Sequence, residues 1–444
     1  MALKPLEIYK LLPKKNCKEC GDPTCLTFAM KLAGGKAKPE ACPYLDENAK
    51  TILGASTRPP VRKIRIGVGE RAVTIGEELV QFRHEKSFFH EPGIFMAVTD
   101  LMTPGAIQER VIFVRDEILT RVGTDLRLNG IAVRSVNGSP IAFAKAVEAV
   151  EAVADLPEVL MAGEPAVMEA GLSVCGNYRP LLHAATSSQY GEMCRLAKKY
   201  ACPLAIRADS LDALAELSGL CSAEGIENLV LDLSSPSLKE QLNRSTAVRQ
   251  HAVSRKTPAL GYPVCIDTAV SGLPDATLIA GVTKFGSVLI CDDLSSASRK
   301  ALLVLRQNIY TDPQKPIQIT PGLYRVGSPG KDAPVLLTVN FSLTFFTLQG
   351  YLEASRVPCF MLIVDTEGLS VLTAVASGKL QETLVRDAIA KYNLSAEVAH
   401  KRLIIPGYAA PLSGRIEDAT GWKVLVGPRD AADIAEFLEK EWTA

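Results

Sequence analysis

Apolar and polar positions follow three successive rhythms along the chain. Between Lys63 and Arg83 the string KIRIGVGERAVTIGEELVQFR alternates apolar with polar residues and turns at Gly69, the pattern of a β-hairpin. From Ile94 onward, apolar runs of strand length are separated by helix-length amphipathic segments. The runs are IFMAVTD from Ile94, IAVRSV from Ile131, EVLMAG from Glu158, PLLHAA from Pro180, PLAIRAD from Pro203, NLVLDLS from Asn228, YPVCIDT from Tyr262 and SVLICDD from Ser287. Eight strand and helix pairs over roughly 220 residues predict a closed (β/α)8 barrel rather than an open sheet. Residues 310–334, rich in Pro and Gly, cannot form one continuous helix or central strand and read as a linker. Beyond them the alternation resumes with VLLTVN from Val335, CFMLIVD from Cys359, RLIIPG from Arg402 and WKVLVG from Trp422, closed by a helix from Asp430. These units predict a small doubly wound α/β domain whose ligand sits at the carboxyl ends of its strands, here VNFS, DTEGLS, IPGY and VGPRD.

Composition narrows the partners. A chain of 444 residues exceeds one ordinary core. Its 49 basic and 49 acidic side chains balance, with no block of like charge, so neither nucleic acid nor an acidic membrane surface is an expected partner. Lys4, Glu7 and Lys10 follow Met1 where a secretory signal would place an apolar core, and a cytoplasmic location is expected. Ala333–Leu352 carries no charge, but it holds Thr338, Asn340, Ser342, Thr344, Thr347 and Gln349. Those polar groups suit a buried strand followed by a helix better than a membrane span. Of eleven cysteines, Cys175, Cys194, Cys202, Cys221, Cys265, Cys291 and Cys359 are scattered singly, most of them in apolar or amphipathic runs, and read as core.

The other four are grouped. Cys17, Cys20 and Cys25 in NCKECGDPTC are joined by Cys42, giving C-x2-C-x4-C-x16-C with Pro43 after the last thiol. Four soft thiolates suit Zn2+ or a [4Fe-4S] cluster. Structural zinc usually takes two separated C-x2-C knuckles, whereas three thiols followed by a lone fourth and a proline fit cluster patterns better. A segment this short lacks a sufficient core, so metal binding is also expected to fold it. It ends near STRPPVRK, residues 56–63.

LEIYKLLPKKNCKECGDPTC, the lone Cys42 with its proline, the barrel-length middle, and the strings TVNFSLTFF, VDTEGLSVLTAVASGK and GWKVLVGPRDA together resemble one family. It is the corrinoid/iron-sulfur protein large subunits of the anaerobic acetyl-CoA (Wood-Ljungdahl) pathway, with the related archaeal acetyl-CoA decarbonylase/synthase gamma-type subunits. The resemblance runs over essentially the whole chain. It implies a [4Fe-4S] domain over 1–57, a TIM barrel with its hairpin over 58–311, a linker over 312–334 and a corrinoid-binding domain over 335–444. It implies a methyl carrier rather than an independent catalyst. Cobalt would accept methyl from methyltetrahydrofolate through a separate methyltransferase and deliver it to acetyl-CoA synthase, and the cluster would reduce Co(II) back to Co(I). The implied partners are a small subunit forming a heterodimer, that methyltransferase, and acetyl-CoA synthase. Cys17, Cys20, Cys25 and Cys42 become the cluster ligands. Leu369, Ser370, Val371, Leu372 and Thr373 match the loop beneath the corrin, with Thr373 nearest cobalt, and Val339, Asn340 and Phe345 match further contacts.

The residues constrain that picture independently. No Asp-x-His-x-x-Gly string occurs, and the only histidine after residue 310 is His400, in a charged stretch expected to face solvent. Cobalt is therefore expected to lack a protein imidazole, which brings its reduction within reach of a low-potential cluster. Asp100, Asp209, Asp232, Asp267, Asp292 and Asp293 stand at barrel strand ends, where capping and partner contact are favoured over catalysis. His183 reads as a satisfied core histidine. The alternatives are a pterin-dependent methyltransferase acting through the barrel and a flavodoxin-like electron carrier; TVNFSLT lacks the glycine a flavin phosphate loop needs.

Overall fold

The computed structural model describes residues 5–33, 37–46, 49–50, 53, 59–82, 85, 88–153, 155–311 and 316–442. The boundary expected at 56–63 lies partly outside the described residues, as do residues 312–315 of the expected linker. The chain divides into two compact units, Met1–Leu119 with Leu126–Tyr310, and Thr120–Asp125 with Thr311–Ala444.

In the first unit, helices α1 (Pro5–Leu11) and α2 (Cys25–Ala33) share a small core of Ile8, Leu12, Phe28, Ala29 and Leu32. Strands β1 (Ile64–Val68) and β2 (Arg71–Ile75) form the expected hairpin, with Gly69 at φ 57 in its turn. After β3 (Gly93–Thr99) and α3 (Pro104–Asp116) comes a short ribbon of β4 (Leu119–Arg121) and β5 (Thr124–Leu126), whose residues 120–125 are grouped with the second unit. The remaining barrel strands are β6 (Gly130–Arg134), β7 (Glu158–Met161), β8 (Leu181–Ala185), β9 (Leu204–Arg207), β10 (Leu229–Asp232), β11 (Val264–Asp267) and β12 (Gly286–Cys291). All eight expected strands are present, pair in parallel and close in the order β10-β11-β12-β3-β6-β7-β8-β9.

Period-two alternation sorts their side chains into two layers. Phe95, Ala132, Val159, Leu181, Val230 and Val288 fill the barrel together with Ile64, Ile66 and Ile75 of the hairpin. Ile94, Val133, Leu160, Leu204, Leu231 and Leu289 face the helices. Arg71 of β2 donates to Leu156 O at 3.0 Å and pairs with Glu151 and with Glu158, the first residue of β7. The hairpin thus seals the amino end of the barrel and leaves the carboxyl mouth open. Local chemistry starts the helices: Thr103, Ser139, Ser210 and Ser237 each accept a backbone N–H three residues on, and prolines open four of the barrel helices.

The second unit is a five-stranded sheet. Its strands are β13 (Gly322–Val326), β14 (Val335–Val339), β15 (Cys359–Val364), β16 (Arg402–Ile405) and β17 (Lys423–Val426), in the order β13-β15-β14-β16-β17. The last four are parallel and β13 runs antiparallel to β15. The stretch read as a linker therefore supplies an edge strand. Pro321 and Pro329 flank it rather than interrupt it, and an edge position tolerates such neighbours. Leu337, Val339, Leu362 and Leu403 cover one face of the sheet; Leu336, Met361, Ile363 and Ile404 cover the other. The uncharged stretch Ala333–Leu352 is β14 running into a helix, Ser342–Ser355. No helix among the described residues is long and apolar enough to cross a membrane.

Candidate functional site

The four grouped cysteines converge. Cys25 opens α2, and Cys42 ends a short 3-10 turn over Pro39–Ala41; both are buried, Cys20 is half-buried and Cys17 is exposed. Burial pushes the Cys42 thiol up, and the nearness of Cys20, Cys25 and Cys17 adds to the rise despite a backbone hydrogen bond at Tyr44. A thiol whose ionisation is opposed by burial and by three neighbouring thiols is one whose thiolate a bound cation would relieve. The loop between α1 and α2 reaches this geometry through left-handed residues, Lys14 at φ 57, Asn16 at φ 49, Lys18 at φ 66 and Gly21 at φ 81. Asn16 locks it: its Oδ1 accepts the Cys25 N–H at 2.8 Å, and its own N–H donates to Cys25 Sγ at 3.4 Å. An N–H donated to a sulfur fixes the orientation of that sulfur, as the supporting hydrogen bonds of thiolate ligands do in metal sites.

In the second unit, a cavity of about 510 Å³ opens at the carboxyl ends of β14 and β16. The strand order turns back at this place, since β15 lies on one side of β14 and β16 on the other. Ser370, Val371 and Leu372 of the expected loop line it, with Phe341, Leu343, Thr344, Pro406, Tyr408 and Arg429. Leu343, Leu372 and Tyr408, all lining the cavity, are 51%, 57% and 43% exposed and give it a largely apolar rim. Thr373 is exposed beside it, its hydroxyl 3.0 Å from that of Ser370. Leu369 is half-buried beneath the loop.

Val339, Asn340 and Phe345 are not among the lining residues. Val339 and Phe345 are core, Phe345 meeting Tyr324 and Phe346 edge-on. Asn340 is buried and works as a clamp. Its Oδ1 accepts from Thr366 N–H at 2.9 Å, Thr366 O–H at 3.2 Å and Gly368 N–H at 3.0 Å, and its Nδ2 donates to Asp365 Oδ1 at 2.9 Å and Gln318 Oε1 at 3.3 Å. The loop that feeds Leu369–Thr373 is thus built around one amide. The lining residues Pro406, Tyr408 and Arg429 went unnamed at the sequence level, although IPGY and VGPRD mark the strand ends that carry them.

His400 departs from its expected solvated role. It is half-buried, edge-on to Trp442 with ring centroids 4.9 Å apart. Its Nε2 meets Ala333 O at 3.0 Å and its Nδ1 accepts the Arg402 N–H at 3.2 Å, so both ring nitrogens are engaged. It precedes β16, at the end of the sheet opposite the cavity.

Among the barrel carboxylates expected as helix caps, Asp267 alone is seen in that role, at the 3-10 turn Thr268–Val270, while Thr103, Ser210 and Ser237 cap the helices that follow Asp100, Asp209 and Asp232. Asp100 accepts from Ser135 O–H and Val136 N–H, Asp293 from Leu294 N–H, and Asp267 from Ala269 N–H and from Arg134 through two bonds. Arg134 also reaches Asp292 at 3.2 Å. His183 is buried and hydrogen-bonded to Asp232 at 2.8 Å.

Comparison with known proteins shows the family. A family model described as CO dehydrogenase/acetyl-CoA synthase delta subunit matches residues 63–438, and an Fe-S cluster model matches residues 12–44. The corrinoid/iron-sulfur protein large subunit of Moorella thermoacetica is 40% identical over 98% of this chain and 98% of its own. The acetyl-CoA decarbonylase/synthase complex subunit gamma of Methanopyrus kandleri is 37% identical over 99% and 98%. Among solved structures, dihydropteroate synthase from Thermus thermophilus covers 54% of this chain and 98% of its own, at TM-score 0.38 and 18% identity. With relatives of that identity matching from end to end, the chain belongs to the family of corrinoid/iron-sulfur protein large subunits and acetyl-CoA decarbonylase/synthase gamma subunits.

Proposed function

We propose that this chain is a methyl carrier of the anaerobic acetyl-CoA pathway, with a corrinoid on the carboxyl-end face of its C-terminal sheet and a [4Fe-4S] cluster on Cys17, Cys20, Cys25 and Cys42. When bound, the corrinoid cobalt takes up and releases the methyl group, and the cluster supplies low-potential electrons. The observation that carries this reading is the open cavity at the strand-order reversal, rimmed by exposed Leu343, Leu372 and Tyr408. A flat macrocycle with an apolar face covers such a rim, and the clamp at Asn340 holds the loop beneath it. Ser370, Val371 and Leu372 are the direct contacts we propose, with Thr373 nearest the cobalt and Leu369 supporting them. Val339 and Asn340 shape the floor, and Phe345 braces the helix behind it.

The residues also support cobalt without a protein imidazole. His400 is the one histidine in this unit's sequence beyond residue 310, both its nitrogens have partners, and it lies at the wrong end of the sheet. On this reading the functional parts are 1–57, 58–311 and 335–444, with 312–334 contributing the edge strand. The partners are a small corrinoid/iron-sulfur subunit in a heterodimer, a methyltetrahydrofolate methyltransferase and acetyl-CoA synthase, all in the cytoplasm. Metal analysis of anaerobically purified chain tests the assignment. It predicts about four irons and one cobalt per chain, and cobalt-free protein that takes up no corrinoid on reconstitution contradicts it.

A further inference from the structure

The carrier reading leaves a second cavity unused. It lies in the carboxyl mouth of the barrel, holds about 320 Å³, and is lined by Arg134, Gly163, His183, Gln189, Arg207 and Asp267 among others. At its base Asp232 is buried and accepts four hydrogen bonds: His183 Nε2 at 2.8 Å, Arg207 Nε at 2.6 Å, Ser234 N–H at 2.9 Å and Ser234 O–H at 2.5 Å. The neighbouring His183 and Arg207, with Ser234, hold its carboxyl well below the usual range although burial opposes them. An ionised Asp232 fixes a proton on His183 Nε2 and turns the other nitrogen, Nδ1, into the group the ring presents elsewhere.

Most polar groups around this cavity are already matched. Arg134 is bidentate on Asp267 at 2.8 and 3.0 Å, and Gln189 donates to Gly163 O and Ala184 O while accepting from Thr186 N–H. Arg207 differs, for its side chain is 41% exposed and meets Asp232 through Nε. Among the described residues, its two terminal amino groups and His183 Nδ1 have no hydrogen-bond partner in the protein. The two side chains stand together because both bind the same oxygen, Asp232 Oδ2. A guanidinium edge takes a carboxylate through two parallel bonds, and an imidazole nitrogen beside it accepts from a hydroxyl. From this pairing we infer that the barrel mouth is a binding site for a small hydroxycarboxylate, its carboxylate on the Arg207 fork and its hydroxyl donating to His183 Nδ1.

The site does not rest on the corrinoid assignment, and its test is read separately. Full-length protein purified anaerobically is titrated with lactate, acetate and inorganic phosphate by ligand-observed NMR. Two variants accompany it. Arg207→Lys keeps the charge and loses the fork. Gly163→Leu places bulk in the cavity that Gly163 lines, where a Cβ meets nothing within 4 Å. Iron content, cobalt content and thermal melting report that each variant is folded. Saturable binding of lactate, about tenfold tighter than acetate and lost by about tenfold or more in either folded variant, is the expected result. No saturable lactate binding, unchanged affinity in a folded variant, or phosphate binding as tightly as lactate each overturns the assignment.

Discussion

Asn340 shows how one side chain can organise a site without facing it. Five hydrogen bonds tie it to residues 318 and 365–368, and it is buried, so removing the amide strands several donors at once. Asn340→Ala is expected to destabilise the second unit by about 2–4 kcal/mol, measured by urea unfolding, and to lower cobalt content with it. Unchanged stability would show that the loop is held by something else. Leu372 offers the complementary case, since it is exposed and contributes little to the fold. Leu372→Asp should leave urea unfolding within about 0.5 kcal/mol of the parent yet weaken corrinoid retention by about tenfold or more, read as the cobalt to protein ratio. At the proposed cluster site, Cys20→Ser should abolish the iron-sulfur absorbance and keep the cobalt. Loss of both metals would mean the two sites fold as one.

Among elements, the segment after the hairpin is tied to the barrel by a pair whose energetics depend on pH. Glu78 lies 3.6 Å from Arg249 of the helix Leu238–Val253, and Arg249 also donates to Val80 O at 3.0 Å. Burial raises the Glu78 carboxyl from 4.5 to about 7 although Arg249 opposes the rise. The native state then holds a proton that the unfolded state has lost, so stability falls as pH rises from about 4.5 to about 7 and levels above that. Glu78→Gln should flatten part of that slope in a series of melting temperatures across the window. An identical slope in the variant would place the titration elsewhere. The elements themselves were legible wherever burial imposes a period. All eight barrel strands and the four parallel strands of the second sheet coincide with apolar runs. Strand β13 was not, because an edge strand is half-exposed and its prolines and glycines carry the signature of a turn. His400 was misplaced for a related reason: its partners, Ala333 and Trp442, lie 67 and 42 positions away in sequence and leave no local trace.

At the scale of the whole molecule, local spacing carried the grouping of Cys17, Cys20, Cys25 and Cys42, since C-x2-C-x4-C-x16-C needs only short loops to bring the thiols near one another. The cavity of the second sheet was legible at its strand ends and in Ser370–Leu372, but not in the division between groups that touch it and groups that build it. That division is a matter of tertiary packing, which is why Val339, Asn340 and Phe345 proved to be support rather than lining. The two sites belong together chemically. A cobalt with no imidazole donor is easier to return to its most reduced state, and a low-potential cluster on the same chain is a reductant suited to that task. The central claim is therefore the absence of histidine from the cobalt of a corrinoid-loaded chain. Electron paramagnetic resonance of the Co(II) form, compared between unlabelled protein and protein labelled with 15N in its histidines, tests it directly. The account predicts a cobalt signal unchanged by the label. A nitrogen splitting that converts from three lines to two on labelling would contradict it.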